Sequence, residues 1–272
     1  MLPQLPMIDR LRQICQADDR LVAAMLYGSF TREDADRFSD IDCMLYFDDS
    51  ALPEIDQAAW VGQIAPVEMY YHNEYGIGVA IFANLVRAEF HFDPASEMAQ
   101  LETLRGSVSF PSLEATLLLD RNGELAQHLR PLVGPPASHD TPEDAAFLVN
   151  SFMNWSLFGT HVRRRGELAR ALEILHLVHD YLLRMVRLLE GAGQHWITPT
   201  KALEAEISPA AYRRYQSCTA PLDGQALEQA YRSTWEWGSE LMASLGMRYK
   251  FTFPEKLLTK IGGNLTGTDD DR

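Results

Sequence analysis

Cysteine is scarce in this chain. Cys15, Cys43 and Cys218 are odd in number, widely spaced and free of any CxxC pair, which leaves no basis for a disulfide framework and implies a reducing compartment. Positive charge is short as well: 24 Lys and Arg against 38 Asp and Glu give a formal net charge of −14. That balance argues against the extended phosphate-binding surface that nucleic-acid partners need, and suits a small cationic molecule better. No apolar run reaches transmembrane length, and the first residues lack the charged and apolar regions of a signal peptide. The expected location is the cytoplasm, without membrane contact. There is no internal repeat. What remains is 272 residues, 46% hydrophobic, enough for one large domain or two modest ones with a real core.

Chemistry concentrates in two strands and the turn between them. Leu21 to Tyr27 (LVAAMLY) is an apolar run that reads as a buried strand, ended by Gly28. Gly28 lets the backbone turn without a Cβ penalty, and Ser29 leaves a hydroxyl and free N–H groups there that can hold phosphate oxygens. The next strand, about Asp40 to Phe47, alternates. Ile41, Cys43, Leu45 and Phe47 take one face, and Asp40, Asp42, Met44 and Tyr46 the other. Cys43 is thereby a core residue rather than a nucleophile. Two aspartates on one face repel each other unless a hard divalent cation lies between them. Mg²⁺ suits that role, because it takes one or two protein carboxylates and completes its shell with water and substrate phosphate. A third carboxylate is expected from Val86 to Asp93 (VRAEFHFD), where Glu89, His91 and Asp93 share a face. Glu89 is the choice and Asp93 the reserve, as a metal ligand or as the group that takes a proton from an attacking hydroxyl.

A Gly-Ser turn alone means little, and an Asp-x-Asp strand is commonly just a solvated face. Together, strand, Gly28-Ser29 turn, short polar connection and Ser39-Asp40-Ile41-Asp42 resemble the nucleotidyltransferase superfamily of the DNA polymerase β type. The stretches MLYGSFTREDADRFSDIDCMLYF and NEYGIGVAIFANLVRAEFHF, with LLLDRNGEL and RGELARALEIL further on, are similar to the lincosamide nucleotidyltransferases. The resemblance covers most of the chain. It implies a homodimeric antibiotic-resistance enzyme that moves AMP from Mg·ATP to a hydroxyl of lincomycin or clindamycin, releasing pyrophosphate. The residues it fits are Gly28, Ser29, Asp40, Asp42 and Glu89. Some relatives have glutamate at the position of Asp42, a change that alters metal spacing rather than metal chemistry. Two other readings stand beside it: the same chemistry on an aminoglycoside or a protein hydroxyl, and a catalytically silent nucleotide-binding regulatory domain. Degenerate members lose a carboxylate, and here all three are present.

The fold class implied is α+β: a nucleotidyltransferase domain with a mixed sheet over residues 1–133, an all-helical domain over 141–261, and a disordered tail over 262–272. The pattern predicts a first helix over residues 4–18. Strands are expected at Val67 to His72, Ile77 to Ala83, Val86 to Phe92 and Ala115 to Leu119, and a short helix at Glu124 to Arg130. Thr141-Pro142-Glu143-Asp144 gives an N-cap, a proline at the first helical position and acidic residues in the first turn. The stripe Leu168 to Leu189 predicts a long helix stopped at Gly191-Ala192-Gly193, with further helices at Pro199 to Ile207, Pro209 to Thr219 and Gly224 to Leu245. His176 and His179 lie one turn apart, but His179 falls on the apolar stripe, so packing is preferred to metal ligation. Arg163-Arg164-Arg165 with Arg170 is the one dense basic cluster. It is either a solvated helix face or, by resemblance, a source of contacts to the ATP phosphates, Arg170 first. Arg32, beside the Gly-Ser turn, is placed to meet a phosphate too. Trp155, Phe158, Trp235 and Trp237 are read as helical core.

Overall fold

The run LVAAMLY forms strand β1 (Leu21–Tyr27) in the computed structural model, which describes residues 2–266 apart from residue 33. Its side chains enter two separate apolar layers. Ala24 and Leu26 meet Leu11 and Cys15 of helix α1 (Gln4–Ala17), while Ala23 and Met25 face Met98, Leu101 and Leu129 on the opposite side. A strand covered on both faces must be apolar at nearly every position, as this one is. Strand β2 (Ile41–Phe47) divides its alternation between the same layers: Ile41, Cys43, Leu45 and Phe47 go to the first and Tyr46 to the second.

Four further strands complete a six-stranded mixed sheet: β3 (Val67–His72), β4 (Gly78–Phe82), β5 (Arg87–Pro94) and β6 (Leu117–Asp120). The order is β3-β4-β5-β2-β1-β6. All neighbours are antiparallel except the central pair β2 and β5, which run parallel with Asp42 opposite Glu89 and Tyr46 opposite Asp93. Short helices α2 (Gln57–Val61), α3 (Leu113–Thr116) and α4 (Glu124–Leu129) and a 3₁₀ segment over Ala95–Leu104 lie around the sheet. The strand expected at Ala115 to Leu119 begins only at Leu117. Ser112 accepts a hydrogen bond from the Ala115 N–H at 3.1 Å and caps a helical turn there instead.

By internal contacts the chain divides into residues 1–137 and 138–272. The second unit is helical: α5 (Pro142–Arg164), α6 (Leu168–Glu190), α7 (Leu203–Glu206), α8 (Pro209–Gln216), α9 (Gly224–Tyr249) and α10 (Glu255–Thr266). Thr141 caps α5 by accepting from the Asp144 N–H at 3.0 Å, and Gly191, at φ +72°, ends α6. The core gathers Phe152, Leu175, Leu182, Tyr231, Trp235 and Trp237. His179 is buried within it, 3.4 Å from the Thr234 hydroxyl, and burial lowers its pKa to about 4. It is a neutral packing residue. Helix α10 runs through residues 262–266, which composition suggested were tail; Leu265 is buried in the core and the Asn264 carbonyl accepts from Arg164 at 2.7 Å. The rest of that tail, 267–272, lies outside the described residues.

The helix expected at Pro199 to Ile207 shrinks to α7 because of a buried cation. Arg187, fully buried on α6, donates to the carbonyls of Ala192 at 2.9 Å, Pro199 at 2.9 Å and Lys201 at 2.6 Å, and to the Glu206 carboxylate at 2.5 Å. Carbonyls turned toward a guanidinium cannot serve a helix. Arg187→Ala strands these groups and is expected to destabilise the full-length protein by about 3 kcal/mol, read from chemical denaturation. A loss under about 1 kcal/mol would mean that solvent replaces the arginine freely.

Candidate active site

The site is built at one end of the β1–β2–β5 triplet. After Tyr27 the chain turns at Gly28, whose φ of +75° is a left-handed conformation, into a 3₁₀ turn over Gly28–Thr31. The Thr31 hydroxyl, buried, donates to the Gly28 carbonyl at 2.9 Å and fixes the turn. A Cβ at Gly28 would stand 2.2 Å from Oδ2 of Asp42. Only glycine therefore lets the turn approach this carboxylate.

Asp40 precedes β2 and Asp42 lies within it. The approach to the strand is held by Gln4 of α1, almost wholly buried, which donates to the Ser39 carbonyl at 2.7 Å and the Asp36 carbonyl at 3.3 Å. Glu89 is set opposite Asp42 by the parallel register. Between them reaches Arg87, at the start of β5. Its guanidinium donates to Asp40 at 2.5 Å through one terminal nitrogen and to Glu89 through the other. Asp42 gets less relief. Burial, then the neighbouring charges of Asp40 and Glu89, push its pKa up to about 6, against weaker pulls from Arg87 and Arg32. Tyr27, paired with Asp42 across β1 and β2, places its hydroxyl 3.1 Å from Nε2 of His91, and burial raises its pKa well above the ordinary phenol range.

Asp93 lies elsewhere. Four residues along β5 from Glu89, it is about 13 Å away at strand rise, and it lines a separate cavity of about 250 Å³ with Met44, Tyr46, His91, Glu97 and Leu101. Burial raises its pKa. Arg32 pairs with Asp34 at 3.7 Å. In the helical unit, Arg170 pairs with Glu167 at 3.2 Å and sits 5.5 Å over the Phe158 ring, while Arg163 pairs with Glu228 at 3.0 Å.

Among the described residues no three acidic, histidine or cysteine side chains are set to hold a metal ion; Arg87 stands between Asp40 and Glu89. The donors still fit a hard divalent cation. All are carboxylate oxygens, the charges of Asp40 and Glu89 add to the burial that raises the Asp42 pKa, and a cation already bridges two of them. Sequence reasoning passed over Arg87 and Gln4. Arg87 had a signal, since alternation places it on the Glu89 face; Gln4 had none, because its partners are distant in the chain.

Residues 9–68, which contain Gly28, Ser29, Asp40 and Asp42, match the polymerase β nucleotidyltransferase domain, and residues 141–263 match the lincosamide nucleotidyltransferase-like C-terminal domain. The two matches together support the lincosamide nucleotidyltransferase family that the sequence resembles. Its N-terminal unit is the nucleotidyltransferase domain and its α+β class is that of the superfamily. Glu89 lies beyond both matched segments. Among solved structures the chain is similar to an aminoglycoside 6-adenyltransferase from Bacillus subtilis, at 14% identity and TM-score 0.46 over 97% of this chain and 98% of that one. It is also similar to a nucleotidyltransferase-like protein from Exiguobacterium sibiricum 255-15, at 16% identity and TM-score 0.37 over 97% and 90%. No curated protein matches the chain. No helix among the described residues is long and apolar enough to cross a membrane.

Proposed function

We propose that this nucleotidyltransferase moves AMP from Mg·ATP to a hydroxyl of a lincosamide such as lincomycin or clindamycin, as a cytoplasmic homodimer. The observation that carries the chemistry is Asp42 held opposite Glu89, with the Gly28 turn against it and Asp40 joined to Glu89 through Arg87. Asp40, Asp42 and Glu89 would hold Mg²⁺, which when bound neutralises charge on the attacking and leaving oxygens. Gly28, Ser29 and Arg32 hold phosphate at the turn. The acceptor oxygen bonds to the α-phosphorus, the bond to the bridging oxygen breaks, and pyrophosphate leaves with the electron pair. Glu89 completes the carboxylate set and offers oxygens to the hydroxyl proton.

The lincosamide rests on the C-terminal match over residues 141–263 and on the charge. At −14 the chain favours a cationic acceptor over a polyanion. Purified protein with Mg·ATP is expected to add one AMP mass to lincomycin and clindamycin and to leave kanamycin unchanged, read by mass spectrometry across an antibiotic panel. An AMP mass on an aminoglycoside but not on lincomycin would overturn the substrate and leave the reaction standing.

Arg170 is assigned to the triphosphate. About half its side chain is exposed, and Glu167 accepts from one terminal nitrogen of the guanidinium. Arg170→Ala is expected to raise the KM for ATP about tenfold, since a hydrogen bond to a charged group contributes roughly 1.5–3 kcal/mol. The KM for lincomycin should change little. Unaltered ATP kinetics in the folded variant would return the arginine cluster to a solvated helix face.

A further inference from the structure

Among the described residues Arg87 touches two of the three carboxylates, Asp40 and Glu89, and this contact is built by the sheet. It sits at the first position of β5, paired with Ile81 of β4, and two residues before Glu89 on the same strand face. A guanidinium there lies about 6–7 Å of strand from the Glu89 backbone. Its fork presents separate nitrogens to Asp40 and to Glu89. The side chains are not sealed in: Arg87 is 40% exposed, Asp40 38% and Glu89 23%. A long side chain at that exposure can leave without opening the core. The guanidinium thus engages Asp40 and Glu89 directly.

We infer that Arg87 is a displaceable counter-cation: it holds Asp40 and Glu89 together while the site carries no metal, and it gives them up to the divalent ion on binding. The inference rests on the metal assignment to Asp40, Asp42 and Glu89 made under the proposed function. A divalent ion drawn to the same two carboxylates is repelled by the guanidinium charge already there, so the arginine and the ion compete. Arg87 thus lowers metal affinity in the absence of nucleotide, and once displaced its charge remains beside the place where the phosphates lie. It is a positioning residue, not a metal ligand.

The test is Mn²⁺ binding to the full-length protein without nucleotide, followed by the loss of the free-ion electron paramagnetic resonance signal. Arg87→Gln, which removes the charge and keeps an amide near the carboxylates, is expected to bind Mn²⁺ roughly five- to thirtyfold more tightly than the unaltered protein, the range for an interaction of about 1–2 kcal/mol. Without metal its thermal midpoint should fall, and Mn²⁺ should restore it by more than in the unaltered protein. Arg87→Lys, which keeps the charge but lacks the fork that presents separate nitrogens to the two carboxylates, should lie between the two, and it carries the test if Arg87→Gln fails to fold. Equal affinity in the unaltered protein and the variant, with binding abolished by Asp40→Asn, would overturn the role of Arg87 alone. Absence of Mn²⁺ binding from all forms would overturn the metal assignment and the inference with it.

Discussion

Asp40→Asn and Asp42→Asn are each expected to cut kcat/KM by about 10²–10⁴, because under the proposed assignment each removes a metal ligand and with it several kcal/mol of transition-state stabilisation at 1.36 kcal/mol per tenfold. Their effects on stability should differ. The folded-state pKa of Asp42 is pushed up to about 6 by burial and then by Asp40 and Glu89. A carboxyl raised above its unfolded value penalises the folded state once it ionises, so the penalty grows as pH rises from about 4 to about 6 and is fully present at pH 7. Asp42→Asn deletes that charge and should leave the thermal midpoint at pH 7 unchanged or higher. Asp40→Asn takes a partner from Arg87 and should lower it modestly. Glu89→Gln should be severely impaired and Asp93→Asn much less so, as Asp93 faces a different cavity. Near-normal turnover in either aspartate variant, with unchanged Mg²⁺ dependence, would remove the metal site; the reverse order of Glu89 and Asp93 would move the third carboxylate.

Gly28→Ala should rival these losses with a single methyl group. At φ +75° an alanine costs about 1–2 kcal/mol of backbone strain, which in a chain of this size lowers the midpoint by a few degrees, at about 2–4 °C per kcal/mol. The larger consequence is local. The new Cβ would lie 2.2 Å from Oδ2 of Asp42, and since that oxygen ends a short side chain, the carboxylate yields before the strands do. A displacement on the order of 1 Å costs about 10² in rate. Gly28→Ala should thus fold, keep its helical circular dichroism and lose about 10² in kcat/KM. Adding Asp42→Asn should deepen the loss by far less than the product of the two single effects, because both act through one carboxylate. Multiplicative losses would show that the turn acts through phosphate alone.

Much of this was legible in the chain itself. Where periodicity is undiluted, as in LVAAMLY, the alternation of β2 and the stripe of α6, elements fall close to where the residues place them, because one face or both must be apolar to be buried. Gly28 announced its turn, although its closeness to Asp42 depends on pairing across β1 and β2. What stayed hidden depends on distant partners. The side-by-side placement of Asp42 and Glu89 needs the β2–β5 register, Gln4 reaches Ser39 only after α1 docks, and the loss of helix before Leu203 is dictated by Arg187, which looks from sequence like any polar residue of an amphipathic helix. The 3₁₀ segment over Ala95–Leu104 lacks the helical period that would have announced it.

The parallel pairing of β2 with β5 has a bearing on how the protein acquires its chemistry. Every other neighbouring pair in the sheet is antiparallel, and β3 with β4 is a local hairpin, whereas β2 and β5 meet only after the chain between them has closed a long loop. Asp42 and Glu89 stand on opposite sides of that closure. Their mutual repulsion is consequently absent from any partly folded chain in which that closure has not occurred, and arrives with the pairing of the central strands. A chain whose β2 and β5 have not yet met can hold the β3–β4 hairpin without bringing Asp42 and Glu89 together.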